Sequence, residues 1–317
     1  MALYKNQVRS GIIGHAIGDA LGVPVEFKKR ADRKLDPVTD MRSGGTFRMP
    51  AGTWSDDTSM EIALMHALID CKEVNYEAIM NYFLMWLQDD RFTATGVTFD
   101  VGGTCRAALQ NYIDGKSPLQ CGLTEESANG NGSLMRILPA ALLCHKHGLD
   151  DKEEYKLIRD MSSLTHAHPI SVMGCFIYSK LIHHLMNGLN PERAYAMVRR
   201  YDGCGKFFNE ETRQVYTRVL ENNIAELAED DIKSTGYVVH SLEAAIWCLL
   251  TTDSYKEAIL KAVNLGGDTD TIGAITGSMA GICYGYENIP SEWIKQLARR
   301  DDLIDLCDEF AQDEIKI

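Results

Sequence analysis

The chain has 317 residues, 45% hydrophobic and 24% charged, a globular composition with ample material for a core. Its formal net charge of -13 excludes a generic phosphate-backbone surface, so nucleic acid is not an expected partner. Nine cysteines scattered singly, with no CxxC pair, read as reduced thiols. With no apolar signal segment at the start and no membrane-spanning run, the expectation is a cytoplasmic protein without a membrane partner.

Helical periodicity dominates the chain. GIIGHAIGDALG (11–22) predicts a first helix that carries Asp19 and ends near Gly22. VPVEF then sets Glu26 in apolar surroundings, and Lys28-Lys29-Arg30 reads as a solvated loop. GTWSDDTSM (52–60) places Ser55, Asp56, Asp57 and Thr58 just before the helix SMEIALMHALIDC, with Thr58 and Glu61 fitting a capping box. YEAIMNYFLMWLQ predicts the next helix. VTFDVGGT puts Asp100 at a glycine-flanked helix start. TEESANGNGS is a loop carrying Glu125 and Glu126, and NGNGSLMR (129–136) predicts tight turns running straight into the helix LMRILPAALLCHKHG. Such a helix start suits a phosphate, and Arg136 could add charge or form a structural ion pair. SLTHAHP (163–169) carries His166 and His168 ahead of the helix ISVMGCFIYSKLIHHLMNGL. SLEAAIWCLLT is helical, and NLGGDTDTIG (264–273) heads a last long helix with Gly273, Gly277, Gly281 and Gly285 at four-residue spacing. Alternating β-branched runs are absent and no linker marks a boundary. The expectation is an all-α fold in one domain, 1–317.

Two of these stretches crowd like charges. Asp268 and Asp270 stand one residue apart, and Asp56 and Asp57 are adjacent. One acid at a helix start is ordinary capping. Adjacent carboxylates at two helix starts exceed what capping needs, and they repel unless a cation lies between them. An EF-hand loop is ruled out, because Ile272 and Met279 fall where oxygen ligands are required. Carboxylates and hydroxyls suit magnesium or manganese, and four carboxylates with Ser55 and Thr271 could hold two ions. A zinc site at His166 and His168 lacks Cys or HExxH support.

GDALGVPVEF, WSDDTSM, FDVGGTCRAAL, NGNGSLMR, SLTHAHP and NLGGDTDTIGAITGSMAG, in this order from Gly11 to about Tyr286, resemble the ADP-ribosylhydrolase family typified by dinitrogenase reductase-activating glycohydrolase. Each motif alone is weak; the ordered set is specific. The resemblance implies a single all-α domain with a dinuclear metal site at its centre, binding two divalent cations, Mg2+ or Mn2+. It implies Ser55, Asp56, Asp57, Asp268, Asp270 and Thr271 as metal ligands, with Ser55 keeping the hydroxyl where relatives often have threonine. It makes Glu26 and Asp100 the catalytic acids. It gives Asn129, Gly130, Asn131, Gly132, Ser133, Met135 and Arg136 to the diphosphate and ribose, and His166 to the adenosine side. The implied reaction removes ADP-ribose from a modified protein side chain, with arginine favoured and serine or another conjugate as the alternative. The partner is then an ADP-ribosylated protein, and a monomer is the expectation. Two other readings compete: a His-Asp metal phosphohydrolase, which the separation of His15 from Asp19 disfavours, and a non-enzymatic ADP-ribose binder, which the intact acid set disfavours.

Overall fold

Two glycine-spaced runs far apart in the sequence pack on each other. Helix α1 (Ala2–Gly22) lies along a helix spanning Thr269–Tyr284. A Cβ at Gly14 would strike the Gly277 carbonyl, and one at Gly18 would strike the Gly273 carbonyl. Backbone therefore touches backbone along this seam, and any larger side chain would hold the helices apart. The seam fixes the end of α1 against the start of its partner: the Thr269 hydroxyl donates to the Gly22 carbonyl at 2.8 Å.

The structure, a computed structural model, describes residues 2–317. After α1 come α2 (Asp56–Cys71), α3 (Tyr76–Asp89), α4 (Gly103–Ile113), α5 (Leu138–His147), α6 (Asp151–Ser163), α7 (Pro169–Met186) and α8 (Pro191–Arg200). They are followed by α9 (Val238–Leu250), α10 (Tyr255–Asn264), α11 (Thr269–Tyr284) and α12 (Arg300–Gln312). Short helical turns join them. Among the described residues β pairing is confined to isolated bridges, two of which, Leu123–His166 and Gly130–Tyr237, tie down the loops that carry His166 and Gly130. The fold is all-α, as the periodicity implies. Among the described residues no helix is long and apolar enough to cross a membrane. All nine cysteines are free thiols.

Three local expectations fail. Gly285 does not continue the glycine face; it ends α11 at φ 88°, a left-handed value that favours glycine. The segment 131–137 forms turns, and α5 starts only at Leu138 with Pro139 in its first turn. Arg30 is not solvated with its lysine neighbours: its guanidinium donates to the carbonyls of Leu265 (2.9 Å), Ile232 (2.5 Å) and Glu229.

Candidate active site

The site is built where α1, α2 and α11 converge. Asp19, fully buried on α1, accepts from the backbone N–H of Ser55 (2.9 and 3.0 Å to its two oxygens), the N–H of Thr58 (3.1 Å) and the Thr58 hydroxyl (2.6 Å). It thus satisfies donors at the start of α2 from a different helix. The capping box read from Thr58 and Glu61 does not form. Thr58 serves Asp19, and Glu61 is buried beside His15, 3.7 Å away.

That brace turns Ser55, Asp56 and Asp57 toward α11. The Thr271 hydroxyl donates to Asp57 Oδ2 at 3.2 Å, and the Ser55 hydroxyl donates to the same oxygen at 3.3 Å. Asp268 occupies the N-cap position of α11 but makes no side-chain capping bond. Its carboxylate instead accepts from Asn131 Nδ2 at 2.7 Å. Capping therefore does not explain this acid.

Glu26, Asp100 and Asp270 each offer a carboxylate oxygen within 4.8 Å of the others. Asp100 is held at φ 55°, strained for a residue other than glycine. Burial, then the charges of Asp100 and Asp268, push the Glu26 carboxyl up to about 10. Burial and surrounding carboxylates also raise Asp56, Asp57 and Asp270 well above the usual range, and burial raises Asp100. Glu26 Oε2, Asp57 Oδ1 and Asp270 Oδ2 are buried without any hydrogen-bond partner. Crowded, partnerless carboxylate oxygens flanked by hydroxyls are the donor set a hard divalent cation requires.

These acids form one side of a cavity of about 270 Å³. Glu26, Asp56, Asp57, Asp100, Asp268 and Thr271 line it, and no lysine or arginine does. Gly130, Asn131, Gly132, Met135 and His166 line it as well. Ser55 and Asp270 do not reach its surface; they are buried against residues that do.

The His166 ring is fully buried, and burial with the nearby Arg136 charge lowers its pKa to about 3, so it is neutral. Its Nδ1 pairs with the Thr165 hydroxyl at 2.8 Å, leaving Nε2 toward Gly130 and Gly132. A Cβ at Gly132 would come within 2.8 Å of that ring and of Cys105 Sγ. Asn129, Ser133 and Arg136 do not line the cavity. Asn129 accepts from Ser171, and Ser133 accepts from Ser162. Arg136 is wholly buried, donates to Thr165 (2.8 Å) and Met161 (3.3 Å), and lies 4.7 Å over the Phe83 ring. No acid partners it, so the ion pair considered for it is absent. Its place is behind His166.

His168 caps α7 by accepting from Ile170 N–H, which leaves no His-based zinc site there. Glu125 and Glu126 are exposed and outside the cavity. Asp19 as a brace, and Cys105 and Phe27 as lining, are not among the site residues expected from the sequence. The buried acid inside an apolar helix was the available signal for the first; the other two carry none.

An all-helical chain that folds an acid-lined pocket where its first helix meets α2 and α11 defines a narrow structural class. The sequence model of the ADP-ribosylglycohydrolase family matches residues 1–316. The chain is 33% identical over 308 residues to an ADP-ribosylarginine hydrolase of Serratia proteamaculans, covering 96% of this chain and 79% of that one. It is 31% identical over 287 residues to the ADP-ribosyl-[dinitrogen reductase] glycohydrolase of Rhodospirillum rubrum, covering 90% and 88%. A solved ADP-ribosylglycohydrolase-related protein complex superimposes with a TM-score of 0.83 at 27% identity, over 99% of this chain and 100% of that one. The chain belongs to the ADP-ribosylglycohydrolase family.

Proposed function

We propose that the protein hydrolyses the bond between ADP-ribose and an arginine side chain of a modified protein. The observation that carries this reading is the meeting of Asp57 with Thr271, and of Glu26 and Asp100 with the buried Asp270 behind them, along one wall of a cavity also lined by the Gly130–Gly132 loop and His166. The names of the relatives in Serratia proteamaculans and Rhodospirillum rubrum support the reaction, and the first supports arginine as the linkage.

Ser55, Asp56, Asp57, Asp268, Asp270 and Thr271 are the residues to hold two divalent cations, magnesium or manganese. Bound there, the cations would supply positive charge that offsets the clustered carboxylates, and Lewis acidity toward the ribose hydroxyls. Asn131, bonded to Asp268, joins that wall to the glycine loop. Gly130 and Gly132 let the ligand approach backbone, and the neutral His166 ring forms the adenosine side. Cleavage builds oxocarbenium-like charge on the anomeric carbon, which the acid wall faces. Glu26 and Asp100 move the protons as a pair, one delivered to the departing nitrogen and one taken from the attacking water. A whole-chain domain and a monomeric, cytoplasmic enzyme complete the proposal; the family match over 1–316 supports the first.

The test is a panel of arginine-, serine- and nucleotide-linked ADP-ribose substrates read by mass spectrometry with and without chelator. Free ADP-ribose from the arginine substrate alone, lost with chelator, is expected. A label retained on arginine while the chain still binds ADP-ribose contradicts the proposal.

A further inference from the structure

Residues 25–28 form a tight turn. Glu26 sits at φ -54°, ψ 140°, Phe27 at φ 64°, and the Lys28 N–H donates to the Val25 carbonyl at 3.1 Å. This is type II geometry, and its third position, held by Phe27, is one that glycine or asparagine fills without strain. Phenylalanine there is costly twice over. Its backbone is left-handed, and the residue is 62% exposed. The turn is nevertheless pinned: Phe27 N–H donates to the Gly267 carbonyl and Gly267 N–H to the Lys28 carbonyl, both at 2.8 Å. These two bonds fasten the turn to the loop that carries Asp268. Phe27, so held, lines the cavity beside Glu26, Asp56, Asp57, Asp100 and Asp268, in a lining without a basic side chain. Local rules broken at a pocket, with no gain in packing, mark a side chain retained for what it meets there.

We propose that Phe27 determines linkage specificity: its ring is the face on which the guanidinium of the ADP-ribosylated arginine lies as that group meets the acid wall. This rests on the arginine-linked reading above. A planar guanidinium stacks on an aromatic face while its edges donate to carboxylates, which a serine-linked substrate cannot do. At a partly exposed ring such stacking is worth a factor of about 2–5 in binding.

The informative variant is Phe27→Gly, because glycine relaxes the turn while removing the ring. Steady-state kinetics on arginine- and serine-linked ADP-ribosyl peptides are paired with calorimetric binding of free ADP-ribose and a melting curve. Phe27→Gly is expected to raise KM for the arginine-linked peptide about fivefold with kcat little changed. ADP-ribose affinity should hold and the melting temperature should not fall. Phe27→Trp is expected to restore the wild-type KM. An unchanged KM in Phe27→Gly, or an equal loss in free ADP-ribose binding, overturns the inference while leaving the arginine reading intact. Wild-type protein inactive on the arginine linkage overturns that reading first, and this inference with it.

Discussion

The carboxylate of Asp19 and the hydroxyl of Thr58 lie 2.6 Å apart, joining α1 to the first turn of α2. With the Ser55 and Thr58 N–H groups on the same carboxylate, this bond sets the angle at which Asp56 and Asp57 leave the helix start. Asp19→Asn keeps the shape but removes acceptor capacity and charge. Its expected effect is a loss of roughly tenfold or more in Mn2+ affinity, the scale typical of groups that orient metal ligands. Calorimetry on the chelator-stripped protein checks this; unchanged affinity with a lowered melting temperature would make Asp19 structural only.

Asp270→Asn should abolish ADP-ribose release and leave helix content intact. Asp270 is buried among like charges with Oδ2 unpartnered, so removing its charge relieves repulsion in the metal-free protein. Circular dichroism and melting curves in chelator are expected to show equal helicity and a melting temperature at or above the parent's. An unfolded variant would indicate that the cluster is part of the scaffold.

Metal-free stability should fall with rising pH. Glu26 is pushed up to about 10 and Asp57 and Asp270 well above ordinary carboxylates, so the folded state binds more protons than the unfolded one. Stability tied to these groups is present below the unfolded carboxyl range, about pH 4, and is lost progressively above it, toward pH 10 for Glu26. Melting temperatures of chelator-treated protein measured from pH 5 to about 9 should decline, and added Mn2+ should recover most of the loss at the alkaline end. A flat profile in chelator would contradict the crowding.

Gly18→Ala tests whether the helix seam serves the site. The new methyl would strike the Gly273 carbonyl, and overpacking of this kind costs about 1–3 kcal/mol. Because Asp19 follows Gly18 and α11 begins with the acids, a lower melting temperature should come with weaker Mn2+ binding. Destabilisation alone, with metal affinity unchanged, would show that the seam supports the fold without aligning the acids.

The helices were legible because their apolar positions repeat at helical spacing, and the acids were legible because two like-charge pairs at helix starts have no economical structural use. What the sequence hid depends on tertiary contact. Arg136 reads as a cation for a phosphate, yet it is spent on Thr165, Met161 and the Phe83 ring; nothing local distinguishes a buried guanidinium from an exposed one. Glu26 and Asp100 read as acids beside a metal set, and only folding shows them close to Asp270. The Asn-Gly pairs signal turns correctly, but Pro139 delays the helix until after them.

The most direct measurement follows free ADP-ribose released from arginine-modified protein while Mn2+ is titrated into chelator-stripped enzyme, for the parent chain, Asp57→Asn and Asp270→Asn. Release that is absent without metal, saturates with Mn2+ in the parent and is lost alike in both variants is the expected result. Undiminished release in chelator, or full activity in either variant, would contradict a shared cation centre where Asp57 meets Thr271, 214 residues further along the chain.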